Sequence, residues 1–425
     1  MLLRKKLNSF FIKNNCVVKK WKMNIICNFC KKYDWNCLYI NVGNFECPRC
    51  HNKDEKYIGE INGKKYCRKC ISFSGEHVKE FTYSKGEAKL FLSYPLSKEQ
   101  QHISDRVIFN FKRGYSTLIN AVCGAGKTEL VFGVIEYALK RELSVGFALP
   151  RRDVASELFI RIKEAFKNNT VTLVIGGLTD KLNADIVVLT THQLYRYPSY
   201  FDLLILDEID AFPFRDNELL NTFFYQSVKG NFILMSATVT EENIKQFSTG
   251  NNEILYLNTR FHRKPLPVPK IIIRYSLAKI IFIIKKLKQY KKEKKPVLIF
   301  APTIDIANRL YRTISIFLKN GNVVSSKAVK RSEIIEHFRN KKYDYLVTTA
   351  VLERGVTIAN LQVIIFKADH DLYDEGSLIQ ISGRVGRKFY APDGEVIFLA
   401  SKISEAMEGA IKTIEEKNKD LQNLF

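Results

Sequence analysis

Short, almost wholly apolar runs recur along two stretches of the 425-residue chain and alternate with amphipathic segments. Between about residues 91 and 260 the runs are STLINAV, SVGFALP, ADIVVLTT, FDLLILDE and NFILMSAT, with helical patterns at 128–141 and 151–167 among them. A strand that is apolar on both faces is covered on both faces, so the pattern predicts βαβ units around a parallel sheet. It breaks at NTRFHRKPLPVPK, residues 258–270, where three prolines within five residues and several cations read as a linker. It restarts with PVLIFA, VVSSK, YDYLVTT, the stretch 361–366 and GEVIFLA, with helices expected at 303–319, 330–340 and 375–383. The expected fold is therefore α/β: two tandem parallel-sheet domains at 91–258 and 271–425, joined by a linker at 259–270. Residues 1–90 show little periodicity and hold a small cysteine-rich module at about 45–75.

No apolar run approaches the roughly 20 residues of a spanning helix. The longest candidate, KIIFIIKKLK at 279–288, ends in lysines, and the basic tract at 285–295 reads as a solvated helix end. The first 15 residues lack the sustained apolar core of a secretory signal, so a soluble, cytoplasmic chain is expected. The 67 Lys plus Arg exceed the 44 Asp plus Glu and give a net charge of +23, which points to a polyanion, nucleic acid ahead of an anionic membrane surface. Because an AT-rich genome also enriches Lys and Asn, charge alone does not settle the function.

Eight of nine cysteines lie in the first 70 residues. CPRC at 47–50 and CRKC at 67–70 are two Cys-x-x-Cys knuckles at a four-cysteine zinc spacing, with Cys47, Cys50, Cys67 and Cys70 as ligands. Cys27, Cys30 and Cys37 offer a rival or second partial site. A redox role would need a thioredoxin-like sheet, which this segment does not resemble.

AVCGAGKTEL at 121–130 follows an apolar strand and precedes a helical pattern, the context a phosphate-binding loop needs. Gly124 and Gly126 permit the turn that points backbone N–H groups inward, and Ala125 and Glu129 complete the loop. Lys127 would reach the β and γ phosphates, and Thr128 would bring its hydroxyl to Mg²⁺. Ala121 stands where such loops open with glycine; a small residue at the strand end can serve, because the turn rests on the two later glycines. FDLLILDEID ends an apolar run in two carboxylates: Asp207 to hold Mg²⁺ through water, Glu208 to orient or deprotonate the attacking water. Together the two motifs point to ATP hydrolysis.

With SAT at 236–238, TTAVLERGVTI at 348–358 and QISGRVGR at 380–387, these motifs resemble, in order, motifs I, II, III, V and VI of the superfamily 2 helicases. The resemblance implies RecA-like domains. Arg384 and Arg387, three apart on one expected helix face with Gln380 one turn earlier, are candidates to stabilise the charge of the reacting phosphate, and Arg387 resembles the family's arginine finger. LSKEQ resembles the adenine-reading Q motif, with Gln100 as the reader; Gln101 is a rival, and a helix start capped by Ser97 is an equal alternative.

By the same resemblance, nucleic-acid contacts fall to Pro150, Arg151 and Arg152, to Gly176 and Gly177, to Thr191, His192 and Gln193, to Thr303, and to Thr348 and Thr349, which with Arg354 would link strand grip to nucleotide state. Hydroxyls, backbone N–H groups and arginines at strand ends suit phosphate contact without base reading. The zinc module ahead of two ATPase sheets, together with Asp210, Ala211, Phe212 and Pro213 after the acidic pair, resembles the ComFA family of late competence proteins over about residues 45–400. That resemblance implies an ATP- and Mg²⁺-dependent, zinc-containing translocase on single-stranded DNA. It would act in DNA uptake at the inner face of the cell membrane, beside a channel protein and other competence proteins. The alternatives are a replication-restart or repair helicase, and a non-catalytic zinc-dependent nucleic-acid scaffold. Translocation polarity, oligomeric state and the role of residues 1–45 are not legible.

Overall fold

The computed structural model describes residues 16–18, 25–27, 45–73, 75–78, 80–84, 86–92, 94–122, 124–179, 181–211, 213–215, 217–239, 244–245, 247–248, 252–325, 330–349 and 358–422. Cys30, Cys37, Cys123, Phe212 and Arg354 lie outside them. The chain divides into two compact units, Met1–Ser93 with Val134–Leu234, and Tyr94–Gly133 with Met235–Phe425.

Two small antiparallel pairs come first: β1 (Cys16–Val18) with β2 (Ile25–Cys27), and β3 (Ile58–Ile61) with β4 (Lys64–Cys67). Helix α1 (Lys98–Lys112) then leads into a seven-stranded sheet of β5 (Ser116–Ala121), β6 (Val145–Leu149), β7 (Val171–Val174), β8 (Ile186–Thr190), β9 (Phe201–Asp207), β10 (Val228–Ser236) and β11 (Asn252–Leu257). The strand order is β11-β5-β10-β9-β6-β8-β7. Pairings β11 with β5, β6 with β8 and β9, and β7 with β8 are parallel. Every residue of β6 and β8 is buried, as their uninterrupted apolar sequences require. The expected helix at 128–141 is two, α2 (Lys127–Leu130) and α3 (Phe132–Leu139). Near this break α1 approaches so closely that a Cβ on Gly133 would lie 2.9 Å from Ser104 Oγ. Helices α4 (Arg152–Ala165) and α5 (Glu218–Ser227) follow.

The second large sheet is wholly parallel, with order β12-β17-β16-β13-β15-β14. Its strands are β12 (Lys270–Ile273), β13 (Val297–Phe300), β14 (Gly321–Val324), β15 (Tyr345–Thr348), β16 (Gln362–Phe366) and β17 (Val396–Ala400). Its helices are α6 (Ser276–Lys292), α7 (Ile304–Phe317), α8 (Arg331–Arg339), α9 (Glu375–Ser382) and α10 (Glu405–Gln422). Ile283, Leu287 and Tyr290 of α6 and Ala307, Leu310 and Ile314 of α7 close one core with the strands. The basic tract at 285–295 falls at the end of α6, as its composition implies. Among the described residues no helix is long and apolar enough to cross a membrane.

The cysteine module is part of the first unit's core. Phe45, Cys47, Cys67, Cys70 and Val78 share one buried cluster with Leu194, Tyr197, Leu204, Phe223 and Phe224. The chain after the module is pinned along the same unit: Val78 N–H donates to Arg196 O at 2.7 Å, Ser84 N–H to Asp185 Oδ1 at 2.8 Å, and Phe91 N–H to Ala165 O at 2.8 Å.

Candidate nucleotide, metal and nucleic-acid sites

The phosphate loop leaves β5 at Ala121, which is fully buried and still in the strand, so no glycine is needed there. Gly124 and Gly126 have φ of +85° and +75°, in the left-handed region where a side chain is strained. A Cβ on Gly126 would also come 2.6 Å from Gln100 Nε2. Gln100 is drawn into this loop: its Nε2 donates to Ala125 O at 2.7 Å, and its Oε1 accepts from Ser97 N–H at 2.8 Å. Ser97 Oγ in turn accepts from Gln100 N–H at 3.2 Å, forming a capping box at the start of α1. The cap and the loop contact thus use the same carboxamide. Gln101, the rival, is exposed and bonds Asp105. A cavity of about 510 Å³ opens beside Lys98, His102 and Ile103 of α1 and residues 256–259, a volume that suits a nucleoside-sized ligand.

Asp207 is the last residue of β9 and 9% exposed, and its Oδ1 accepts from Glu208 N–H at 2.8 Å. Glu208 has φ of +61°, a conformation unusual for a non-glycine residue that turns the chain sharply at the strand end. Ala211 N–H donates to Glu208 O at 2.9 Å, and the turn continues into buried Ala211 and Phe214. These two apolar residues anchor the turn in the core.

The turn after α9 differs from expectation. The helix stops at Ser382 with Gly383 as its C-cap, so Arg384 and Arg387 lie in the following turn rather than on one helix face. Arg384 is 1% exposed and Gln380 5%, while Arg387 is half-buried, with Nε donating to Gly383 O at 2.9 Å. Gly386, with φ of +68°, packs so tightly on the carbonyl of Pro392 that no Cβ fits. In the SAT segment Ser236 Oγ donates to Thr238 O at 2.8 Å and accepts from Thr238 N–H at 3.0 Å; Lys417 Nζ donates to Ala237 O at 3.1 Å.

All four module thiols lie within 4.8 Å of one another, three of them buried. Cys47 Sγ is 3.8 Å from Cys70 Sγ, and Cys50 Sγ 3.7 Å from Cys67 Sγ. A tetrahedral ion with Zn–S bonds of about 2.3 Å spaces its sulfurs about 3.8 Å apart, so the residues fit zinc. Hydrogen bonds from Cys50 and Cys70 hold the Cys47 thiol down to about 2, while the neighbouring sulfur pushes Cys50 up to about 12 and Cys70 upward too. The crowded sulfurs thus oppose one another's ionisation, and a bound divalent ion would relieve that opposition and let all four ligate as thiolates. Cys27 ends β2 opposite Cys16.

Of the expected nucleic-acid contacts, Arg151 is the N-cap and Arg152 the first residue of α4, and Arg152 is exposed. Gly176 and Gly177 are exposed after β7, and Gly177 has φ of +78°. Thr191 is fully buried at the start of the 3₁₀ turn Thr191–Arg196, and Gln193 Oε1 accepts from Arg196 Nε at 2.7 Å. His192 stacks on Phe73 with ring centroids 6.3 Å apart, and burial pushes its pKa down. Thr303 caps α7 by accepting from Ile306 N–H at 3.2 Å. Thr348 is fully buried and donates to Thr349 O at 3.1 Å; Thr349 is buried too. These positions lie at or just beyond the carboxyl ends of strands, the side on which open α/β sheets bind ligands. Two residues the sequence did not single out, Arg260 and His262, lie against the turn after α9; Arg260 Nη2 donates to Val385 O at 2.7 Å, and His262 Nε2 lies 2.8 Å from Gly386 O.

Residues 100–247 match the DEAD/DEAH box helicase family and 278–389 the helicase conserved C-terminal domain. The fold is similar to that of S. cerevisiae Dbp5 bound to RNA and ADP BeF3, with a TM-score of 0.55 at 18% identity over 76% of this chain and 92% of that one. Two RecA-like sheets carrying these matches define a superfamily 2 helicase. The competence protein ComFA of Bacillus subtilis (strain 168) is 32% identical over 405 residues, 90% of this chain and 88% of that protein. ComFA of Streptococcus pneumoniae (strain ATCC BAA-255 / R6) is 34% identical over 397 residues, 89% and 91% of the two chains. The chain belongs to the ComFA family.

Proposed function

We propose that this protein is a DNA-stimulated ATPase that moves along single-stranded DNA and drives its uptake during competence and transformation. The observation that carries the reading is a four-thiol cluster set into the same core as the turn Thr191–Arg196, in a chain that spans nearly the whole length of two competence proteins. In this reading Gly124, Ala125, Gly126, Lys127, Thr128 and Glu129 receive the phosphates, with Gln100 at the edge of the base site. Thr128 and Asp207 would hold Mg²⁺, which neutralises phosphate charge when bound. Glu208 activates water, and Arg387, with Gln380 and Arg384 behind it, meets the charge that develops on the phosphate oxygens.

Arg151, Arg152, Gly177, Thr191, His192, Gln193, Thr303, Thr348 and Thr349 would follow the strand's backbone; the buried threonines would do so by shaping their turns. Cys47, Cys50, Cys67 and Cys70 would hold Zn²⁺. The motor would work at the inner face of the cell membrane beside a channel protein and other competence proteins.

The test pairs displacement of a protein block from the end of a single strand with a duplex strand-displacement assay. ATP-dependent removal of the block with little duplex separation is expected, and Lys127→Ala and Glu208→Gln should abolish it. Robust unwinding would instead favour a replication-restart or repair helicase.

A further inference from the structure

Composition marks 258–270 as a linker, yet Arg260 within it is only 2% exposed. A guanidinium stays charged at any ordinary pH, so its burial requires nearby acceptors. Arg260 Nη2 donates to Val385 O at 2.7 Å and to Gly383 O at 3.3 Å. Gly383 O also accepts from Arg387 Nε at 2.9 Å, so the two guanidiniums converge on one carbonyl. Two residues along, His262 Nε2 lies 2.8 Å from Gly386 O.

The same short segment grips the phosphate loop. Phe261 N–H donates to Gly124 O at 3.4 Å, and a Cβ on Gly124 would come within 3.3 Å of Arg260 Nε. Arg263 pairs with Glu99 at 2.8 Å, next to Gln100, whose amide bonds Ala125 O at 2.7 Å.

We propose that Arg260 is a positioning residue: it fixes the turn that presents Arg387 and ties that turn to the phosphate loop, with His262 as a second anchor. The inference rests on the proposed reading of Arg387 as the group that meets the reacting phosphate. Arg260 touches no phosphate in this scheme; it sets where Arg387 stands. A small misplacement of a group acting on a transition state lowers turnover by about 10²-fold while ground-state binding persists.

The test is a double-mutant cycle of Arg260→Gln and Arg387→Gln, read as kcat and as affinity for a fluorescent ATP analogue. Arg260→Gln should lower kcat by about 10²-fold and leave analogue affinity within about threefold. The double variant should be no slower than Arg387→Gln alone, because both changes remove the same placement. Arg260→Lys, which keeps one charged donor but not the fork, should fall between wild type and Arg260→Gln. Losses that multiply in the double variant, or an affinity that falls with kcat, would overturn the positioning role while leaving Arg387's role intact. Wild-type kcat in Arg387→Gln would overturn both. If Arg260→Gln does not fold, the cycle is read with Arg260→Lys on the same criteria.

Discussion

Phe73, three residues beyond the last cysteine of the four-cysteine module, stacks on His192 with ring planes 15° apart. It also meets Tyr195 and Phe223 edge-on, at centroid distances of 5.4 and 5.0 Å. The segment after the module therefore packs against the turn Thr191–Arg196. Phe73→Ala should destabilise this unit by about 1–3 kcal/mol, the range for removing a partly buried aromatic and its ring contacts. Its ATPase without DNA should be unchanged, while half-maximal stimulation should need several times more single-stranded DNA; equal DNA dependence in variant and wild type would break the link.

The thiol cluster gives a second expectation. Metal analysis should return one zinc per chain, and the Cys67→Ser, Cys70→Ser variant should return none. Because Cys47, Cys67 and Cys70 are part of the first unit's core, loss of the metal should also lower the melting temperature and expose amides of residues 191–196 to hydrogen exchange. Unchanged stoichiometry would move the site to the earlier cysteines.

Glu395 lies among Lys270 at 3.0 Å, Lys286 at 2.8 Å and the Tyr290 hydroxyl. Burial would raise its pKa, but the hydrogen bonds from Lys286, Tyr290 and Lys270 outweigh it and hold the group down to about 2, against an ordinary value of 4.5. A depressed carboxylate stabilises the fold fully above its unfolded value and loses that contribution as pH falls toward the folded one. The second sheet should therefore lose stability between about pH 4.5 and 2. Glu395→Gln should melt lower at neutral pH and show a shallower acid dependence; an unchanged acid slope would remove Glu395 as its source.

Much of this architecture was legible because the central strands are buried on both faces. FDLLILD and VGFAL leave almost no polar position to mislead the reading, and the carboxylates or basic residues after them mark the strand ends. Edge strands were harder. Asn252–Leu257 is only partly buried along most of its length and opens on the polar pair Asn252 and Glu253, leaving an apolar run of only four residues. The candidate phosphate loop was readable from glycines that the φ values require. The arginines after α9 were placed one element too early, because Gly383 ends the helix before either of them. Arg260 was not readable at all: one of several cations leading into a proline run has the composition of a linker, and only its carbonyl acceptors reveal that it is buried. Nor did the cysteine spacing disclose that the module shares the first unit's core, since Phe73, Val78 and Phe81 follow no helical or strand period.

The proposed function requires that hydrolysis be coupled to single-stranded DNA. The most direct measurement is the steady-state ATPase rate of the full chain titrated with a single-stranded oligonucleotide and, separately, with the matching blunt duplex. A single-strand translocase should show a saturable rise with the single strand, a much weaker response to duplex, and no activity in Lys127→Ala under either condition. A rate indifferent to DNA, or one raised only by duplex, would contradict it.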